Sequence, residues 1–181
     1  SKTIALQALD AIAWHFQTQA RFDIQSVRTV INNLHDDPDK IIDLLRKGMG
    51  ILIYVGSALD RQVAFNHLTF QEYFVARRLK TAWLENKSKG WKYIFPRLHH
   101  PEWREPILLL ESLQREENPD EAQALLERIW RANSPYEKVL FRDLDLTIAL
   151  ISQGAPASPK LIRTISNRVY NFLSFRSVFV A

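Results

Sequence analysis

The period at which apolar residues recur changes along the first 65 residues, and this change limits the possible folds more than any other feature of the sequence. Apolar residues at steps of three and four predict a helix over about 3–18. Brief alternation over 20–24 indicates a short strand. Two short runs of aliphatic and β-branched residues, at 51–55 and 62–65, predict the strands of a β-hairpin.

Two further helices are predicted between the short strand and the hairpin. Ser26 is the expected N-cap of the first of them. Asp37 is the expected N-cap of the second, with Pro38 at the first helical position and an end at Gly48. The order of helix, short strand, helix, helix and hairpin is that of a winged helix, so we expect a mainly α fold with a winged-helix-like regulatory domain over 1–80.

The helix after the hairpin has the best-defined start in the sequence. Thr69 and Glu72 fit a capping box, in which each side chain satisfies a backbone amide near the other residue. Leu68 and Tyr73 fit the accompanying hydrophobic staple. We therefore expect His67, just before this helix, to be held in a fixed position at a helix N-terminus that attracts anions.

The remainder, residues 81–181, is predicted to be a helical domain. Four prolines stand where a helix could begin, each after a residue that could cap it. The pairs are His100–Pro101, Asn118–Pro119, Ser134–Pro135 and Ser158–Pro159. Their spacing suits helix hairpins, and a HEAT-like stack is the solenoid form of such an arrangement. The sequence closes on an apolar group that we expect to pack on the body or on another domain: Phe172, Phe175, Val178, Phe179 and Val180.

Composition excludes several classes of site. The 181 residues include no cysteine, so disulfides, thiolate metal ligands and a cysteine nucleophile are all ruled out. The net charge of +4 is too small to indicate nucleic-acid binding by itself. Basic residues concentrate in 77–97 and acidic residues in 102–128. These regions fit either solvated helix faces that attract each other or an interdomain or polyanion-contacting surface.

Motifs for catalysis or metal binding are lacking in the sequence. None of the five glycines belongs to a phosphate-binding loop, so the chain is not expected to act as an enzyme. The five histidines show no HExxH spacing, and no metal site is expected. Residues 107–110 followed by Glu111 resemble a metal-binding strand that ends in an acid, but their period favours a buried helix.

The segment 63–79 resembles the motif F-x-H-x-[ST]-F-Q-E-[FY]-x-A-A-x-x-L, which closes the winged-helix domain of NACHT-family signal-transduction NTPases. Its aromatic, His, Ser/Thr, Gln and Glu positions are all filled, and Val75 is the one mild departure, at a position where the motif has a small residue. Residues 101–110 resemble, more loosely, the tryptophan-led helix that often follows in bacterial members. With the preceding helices and hairpin, the resemblance covers roughly the first 115 residues.

This resemblance implies a role for His67. In the family, a histidine in this segment contacts the terminal phosphate of bound ADP and holds the closed, inactive arrangement. Thr69 and Glu72 carry over as architecture. The P-loop, the Mg-binding acids and the arginine sensor of the family lie upstream of such a segment. We therefore expect no cofactor in this chain itself, and ADP or ATP with Mg in a full-length parent.

The sequence is thus interpreted as a regulatory C-terminal fragment of a cytoplasmic NACHT-type switch in immunity or a conflict system. Its expected partners are its own upstream NACHT NTPase domain and proteins that bind the helical region, with neither a membrane nor a specific nucleic acid. One alternative is a DNA-binding winged helix that uses 77–97 as its phosphate surface, although acids at 36–43 would repel DNA from the reading helix. Another is a stand-alone helical protein-interaction domain.

Overall fold

A computed structural model describes the backbone of residues 2–57 and 60–177 and the side chains of all of them up to residue 174. Helices predominate, and the sheet in the described ranges is antiparallel with three strands. The predicted mainly α fold with a small β-hairpin and a helical region is therefore confirmed. No helix within the described ranges has the length and apolar content needed to cross a membrane.

The chain forms two compact units, Ser1–Leu110 and Glu111–Ala181. The predicted boundary between the regulatory and helical domains is at residue 80 instead. In the structure that residue lies inside a continuous helix. Compact units and functional domains are different divisions of a chain. The boundary at residue 80 stays a prediction about function.

The first unit contains the predicted order of helix, short strand, helix, helix and hairpin. Its elements are α1 (Lys2–His15), β1 (Phe22–Asp23), α2 (Ile24–Asn32), α3 (Pro38–Asp43) with a π-helical turn (Leu44–Gly48), β2 (Leu52–Val55), β3 (Gln62–Phe65), α4 (Leu68–Glu85) and α5 (Lys87–Ile94). Two 3₁₀ turns, Phe95–Arg97 and Pro101–Trp103, lead into α6 (Arg104–Glu117). The region 107–110 is thus helical, as predicted.

The sheet has the order β1–β3–β2, and its apolar face builds the core of the first unit. Phe22 lies opposite Val63, and Leu52 lies opposite Phe65. The ring of Phe22 stacks on Phe16 with centroids 4.4 Å apart, and the rings of Phe22 and Phe65 meet edge to face at 6.1 Å. These aromatic contacts tie the end of α1 to the sheet, since aromatic pairs add to the free energy of apolar burial.

The helix starts in the first unit confirm one predicted cap and correct another. The Asp37 carboxylate accepts a hydrogen bond from Lys40 N, and Pro38 occupies the first helical position. Ser26, in contrast, is not the N-cap of α2. Asp23 holds that position, and its Oδ1 accepts from Gln25 N and Ser26 N. The carboxylate reaches the amides from the end of β1, which places Ser26 inside the first turn.

Helices α4 and α5 pack closely because a glycine lies at their contact. A Cβ atom on Gly90 would lie 2.5 Å from the Cα of Trp83. Only a residue without a side chain allows this approach. The indole of Trp83 is buried, so the close packing of the two backbones is accompanied by a large apolar contact area.

The second unit contains α7 (Pro119–Trp130), α8 (Glu137–Leu140), α9 (Arg142–Ser152) and α10 (Pro159–Ser177). Asn118 caps α7 as predicted, since its Oδ1 accepts from Asp120 N. Ser158 likewise accepts from Leu161 N at the start of α10. The predicted helix start at Pro135 is wrong. Tyr136 has a left-handed backbone with φ 63°, so Pro135 lies in a turn and the helix begins after Tyr136.

A buried carboxylate organises the second unit. Glu137 accepts hydrogen bonds from Asp143 N and Leu144 N at the start of α9, and from Arg168 Nη2 on α10 at 2.7 Å. Asp143, also buried, accepts from Ser134 N. One acid therefore holds α8, α9 and α10 together.

The predicted packing of the closing apolar group is described only for its first member. The ring of Phe172 meets Phe141 edge to face, with centroids 4.8 Å apart. The side chain of Phe175 and all of Val178, Phe179 and Val180 lie outside the described residues.

Candidate functional site

His67 lies where β3 ends and α4 begins. It occupies the N-cap position of α4 with an extended backbone, φ −135° and ψ 140°, and its side chain makes no capping hydrogen bond. The imidazole is exposed and meets the ring of Phe70 with centroids 5.8 Å apart. It is therefore available to a ligand at the positive end of an 18-residue helix.

The predicted capping box is corrected by the same geometry. An N-cap residue has a non-helical backbone, and here that residue is His67. A capping box requires Ser or Thr at the N-cap position, whereas Thr69 lies inside the first turn of α4. The predicted staple residues Leu68 and Tyr73 are both exposed, at 61% and 37%.

Gln71 anchors the first turn of α4. In the sequence, the one indication of a role for Gln71 was its place in the motif of the segment 63–79. Its side chain is 2% exposed, and Nε2 donates to the backbone oxygen of Phe16 at 2.6 Å and, at 3.4 Å, to that of Gln19. These carbonyls follow the last turn of α1. The bonds fix the N-terminus of α4, and with it His67, against the end of α1.

Glu72 is half-buried on the same turn. Burial raises the pKa of its carboxyl above the usual range, and the negative charge of Glu105 adds to this effect. Its environment is therefore that of a packing residue near a like charge. The predicted capping box with Thr69 does not form, and a structural role for Glu72 stays a prediction.

About one and a half turns further along α4, a partly buried ion pair joins it to α1. The carboxylate of Asp10 lies 3.6 Å from Nη2 of Arg77, and the side chain of Asp10 is 18% exposed. Its Oδ1 is buried without a hydrogen-bond partner. Burial raises the pKa of Asp10 to about 6, although Arg77 and then Arg78 act to lower it.

A groove runs along α1 beside this ion pair and was missed by sequence reasoning. A first lobe of about 350 Å³ lies between α1, α4 and α5, and a second of about 400 Å³ lies between α1 and α2. The residues that line both lobes are Ala11, Trp14, Leu34 and Arg78. The signal for this groove in the sequence was a row of polar residues at helical spacing on α1. Such a row usually indicates a solvent-exposed helix face.

Two arginines and two further aromatic rings cluster around Trp14, which lines both lobes of the groove. The guanidinium of Arg78 lies 5.4 Å from the ring centre of Trp14. That of Arg97 lies 4.9 Å from Trp14 and 4.8 Å from Trp103. Tyr93 meets the edge of Trp14 at 5.6 Å. Cation–π contacts of this kind favour positions of the guanidinium groups close to the rings.

The basic region 77–97 is partly neutralised in the structure. Arg77 pairs with Asp10, and Lys89 lies 3.6 Å from Glu85. Arg97 is engaged with the two tryptophans. A continuous positive surface therefore does not extend along the whole region.

Comparison with known proteins identifies no relative of the chain. No family model matches it, and neither a curated protein nor a solved structure shows significant similarity to it.

Proposed function

We propose that this chain is the regulatory C-terminal part of a cytoplasmic NACHT-type nucleotide switch, in which His67 contacts the terminal phosphate of ADP held by an upstream NTPase domain. The observation that carries the proposal is the position of His67. Its side chain is exposed and makes no capping hydrogen bond at the start of α4. The residue lies within the segment 63–79 that resembles the family motif.

The physics of this position suits a phosphate contact. The first amides of a helix carry partial positive charge, and a histidine beside them adds a donor for a phosphate oxygen. A hydrogen bond to a charged group contributes about 1.5–3 kcal/mol. This matches the roughly 1–3 kcal/mol typical of coupling between allosteric sites. His67 would then bias the switch toward its ADP-bound closed state.

The anchoring of α4 supports a regulatory reading of this contact. Gln71 holds the first turn against α1, so His67 is presented by a fixed element. In the proposed switch, the helical region after residue 80 relays the nucleotide state to protein partners. The nucleotide and Mg would be bound by the upstream domain.

The DNA-binding alternative is less favoured by the charges on α2, α3 and the turn that follows. Arg28 pairs with Asp39 at 2.8 Å, and Lys47 pairs with Asp43 at the same distance. Arg46 lies 3.4 Å from Asp43. A cation that is already paired with a carboxylate contributes less to the binding of a DNA phosphate.

The proposal is tested by His67→Ala in a parent protein that includes the upstream NTPase domain. We expect ADP to dissociate more readily, with an affinity about 10- to 100-fold weaker, because each 1.4 kcal/mol corresponds to a factor of ten. Basal signalling activity should rise, and the melting temperature should stay close to that of the parent. Retained ADP can be measured by chromatography of the purified protein.

His100→Ala is the matched control, because His100 is also a histidine at an N-cap without a side-chain capping bond. Its ADP retention should equal that of the parent. If His67→Ala protein kept its ADP, or if both histidine variants lost it equally, the proposed role of His67 would be abandoned.

A further inference from the structure

The two lobes of the groove along α1 are adjacent, and Arg78 lines both of them. Both lobes are also lined by Trp14 and by the apolar residues Ala11 and Leu34. Volumes of about 350 and 400 Å³ fall within the roughly 300–1,000 Å³ of small-molecule sites. An elongated ligand could therefore occupy both lobes and place its middle beside Arg78.

Arg78 differs from the paired arginines of the first unit. Within residues 2–57 and 60–174, no carboxylate lies within ion-pair distance of its guanidinium and no acceptor within hydrogen-bond distance. Its contact is the face of Trp14. This cation–π contact restrains the guanidinium and leaves its N–H groups available to an anion. Among the described residues, Arg78 therefore lines the groove without an ion pair at contact distance, although its charge still favours the ionised form of the nearby Asp10.

The charges of the two lobes show where an anion would lie. Two carboxylates, Asp10 and Glu85, line the first lobe, with Lys89 beside them. The second lobe is lined by no acidic residue. Besides Arg78, it offers the imidazole of His15 and the side-chain amide of Asn33. An anion bound on this side of Arg78 would meet donors and avoid the two carboxylates.

We propose that the groove binds an organic oxyanion, a carboxylate or phosphate on an apolar or aromatic body, with Arg78 as the anion anchor. The oxyanion lies on the α2 side of Arg78. The body extends over Ala11 and Leu34 toward Ala82 in the first lobe. Arg78 lies eleven positions after His67, roughly 16 Å along the axis of α4. This site is therefore distinct from the proposed nucleotide contact.

The test is a titration of the full chain followed by the backbone amide signals in NMR. The probes are phenylacetate, phenyl phosphate and neutral 2-phenylacetamide, which share a phenyl body. We expect at least one anion to shift amides that line the groove, with the neutral amide about tenfold weaker or more, as expected for loss of a charge-assisted bond. The stronger of the two anions identifies the oxyanion that the groove prefers.

Two charge-removing variants locate the anchor. Arg78→Gln should weaken the preferred anion about tenfold or more. Lys92→Gln removes the same charge from an exposed residue of α5 that does not line the groove, and should leave the affinity within about twofold. Arg78→Lys keeps the charge without the planar fork and should give an intermediate affinity.

Several outcomes would overturn the proposal. Equal affinity for phenylacetate and phenylacetamide would indicate apolar adsorption, and equal losses in Arg78→Gln and Lys92→Gln would indicate general charge attraction. Shifts confined to amides outside α1, α2, α4 and α5 would place the ligand elsewhere. A changed amide spectrum of free Arg78→Gln would indicate altered packing, and the anchor role would then depend on the affinity of Arg78→Lys.

Discussion

The charge of Asp10 destabilises the native state. Its carboxylate is largely removed from water, and its Oδ1 has no hydrogen-bond partner. Burial raises its pKa from 3.8 to about 6, and the nearby Arg77 offsets only part of that cost. At neutral pH the folded protein therefore carries a buried charge that the unfolded chain exposes to water.

Asp10→Asn should increase the free energy of unfolding at pH 7, by about 1–3 kcal/mol, since one pKa unit corresponds to 1.36 kcal/mol. Between about pH 4 and 6 the native parent binds more protons at Asp10 than the unfolded chain does, so its stability falls as pH rises through this window and stays low above it. The advantage of the variant should therefore shrink as pH falls from 7 to 4. Urea titrations of both proteins measure it, and a pH-independent difference would contradict the assigned pKa.

At the scale of elements, the caps determine where helices begin, and α2 tests this most directly. The Asp23 carboxylate accepts from two backbone amides, whereas the hydroxyl of Ser26 only donates to that carboxylate. The two residues therefore play unequal parts in the same turn.

Asp23→Ala should lower the free energy of unfolding by about 0.5–2 kcal/mol, the usual cost of losing an N-cap. Ser26→Ala should cost clearly less, because both amides keep their acceptor. Thermal melts of the two variants provide the comparison. A larger loss for Ser26→Ala would restore Ser26 as the cap that the sequence suggested.

The elements of the first unit could be predicted because their signals are local. Periodicity located α1 and the hairpin strands, and the Asp37–Pro38 pair located the start of α3. Helix α4 was predicted from a capping box that does not form, yet its N-terminus lies close to the expected place. Errors arose where two polar residues compete for one cap, as Asp23 and Ser26 do. They also arose where a residue such as Tyr136 adopts a left-handed backbone that its side chain does not announce.

The groove and the ion pair could not be predicted in the same way. Asp10 and Arg77 are far apart in the sequence, and only the packing of α1 on α4 brings them together. A sequence motif located His67. The structure showed that its side chain is exposed and makes no capping hydrogen bond. The role of Gln71 required the position of the carbonyls at the end of α1.

At the scale of the whole molecule, charge governs how the chain meets polyanions. A net charge of +4 with many cations already paired provides a weak and scattered positive field. Such a field attracts DNA without reading its sequence.

Duplex DNA should therefore bind weakly, without sequence preference, and the binding should disappear as salt rises from about 50 to 200 mM. Fluorescence anisotropy with two unrelated duplexes measures both properties. Nanomolar, sequence-selective binding at physiological salt would favour the DNA-binding alternative over the nucleotide switch.

The buried Glu137 has a consequence for how the second unit opens. Its carboxylate accepts hydrogen bonds from the first amides of α9 and from the guanidinium of Arg168 on α10. Neither helix can therefore detach without leaving a buried charge with fewer partners. Local fraying of one helix is penalised until both have separated. Residues 137–168 should therefore open as one cooperative block, and their protected amides should exchange with solvent through a shared event.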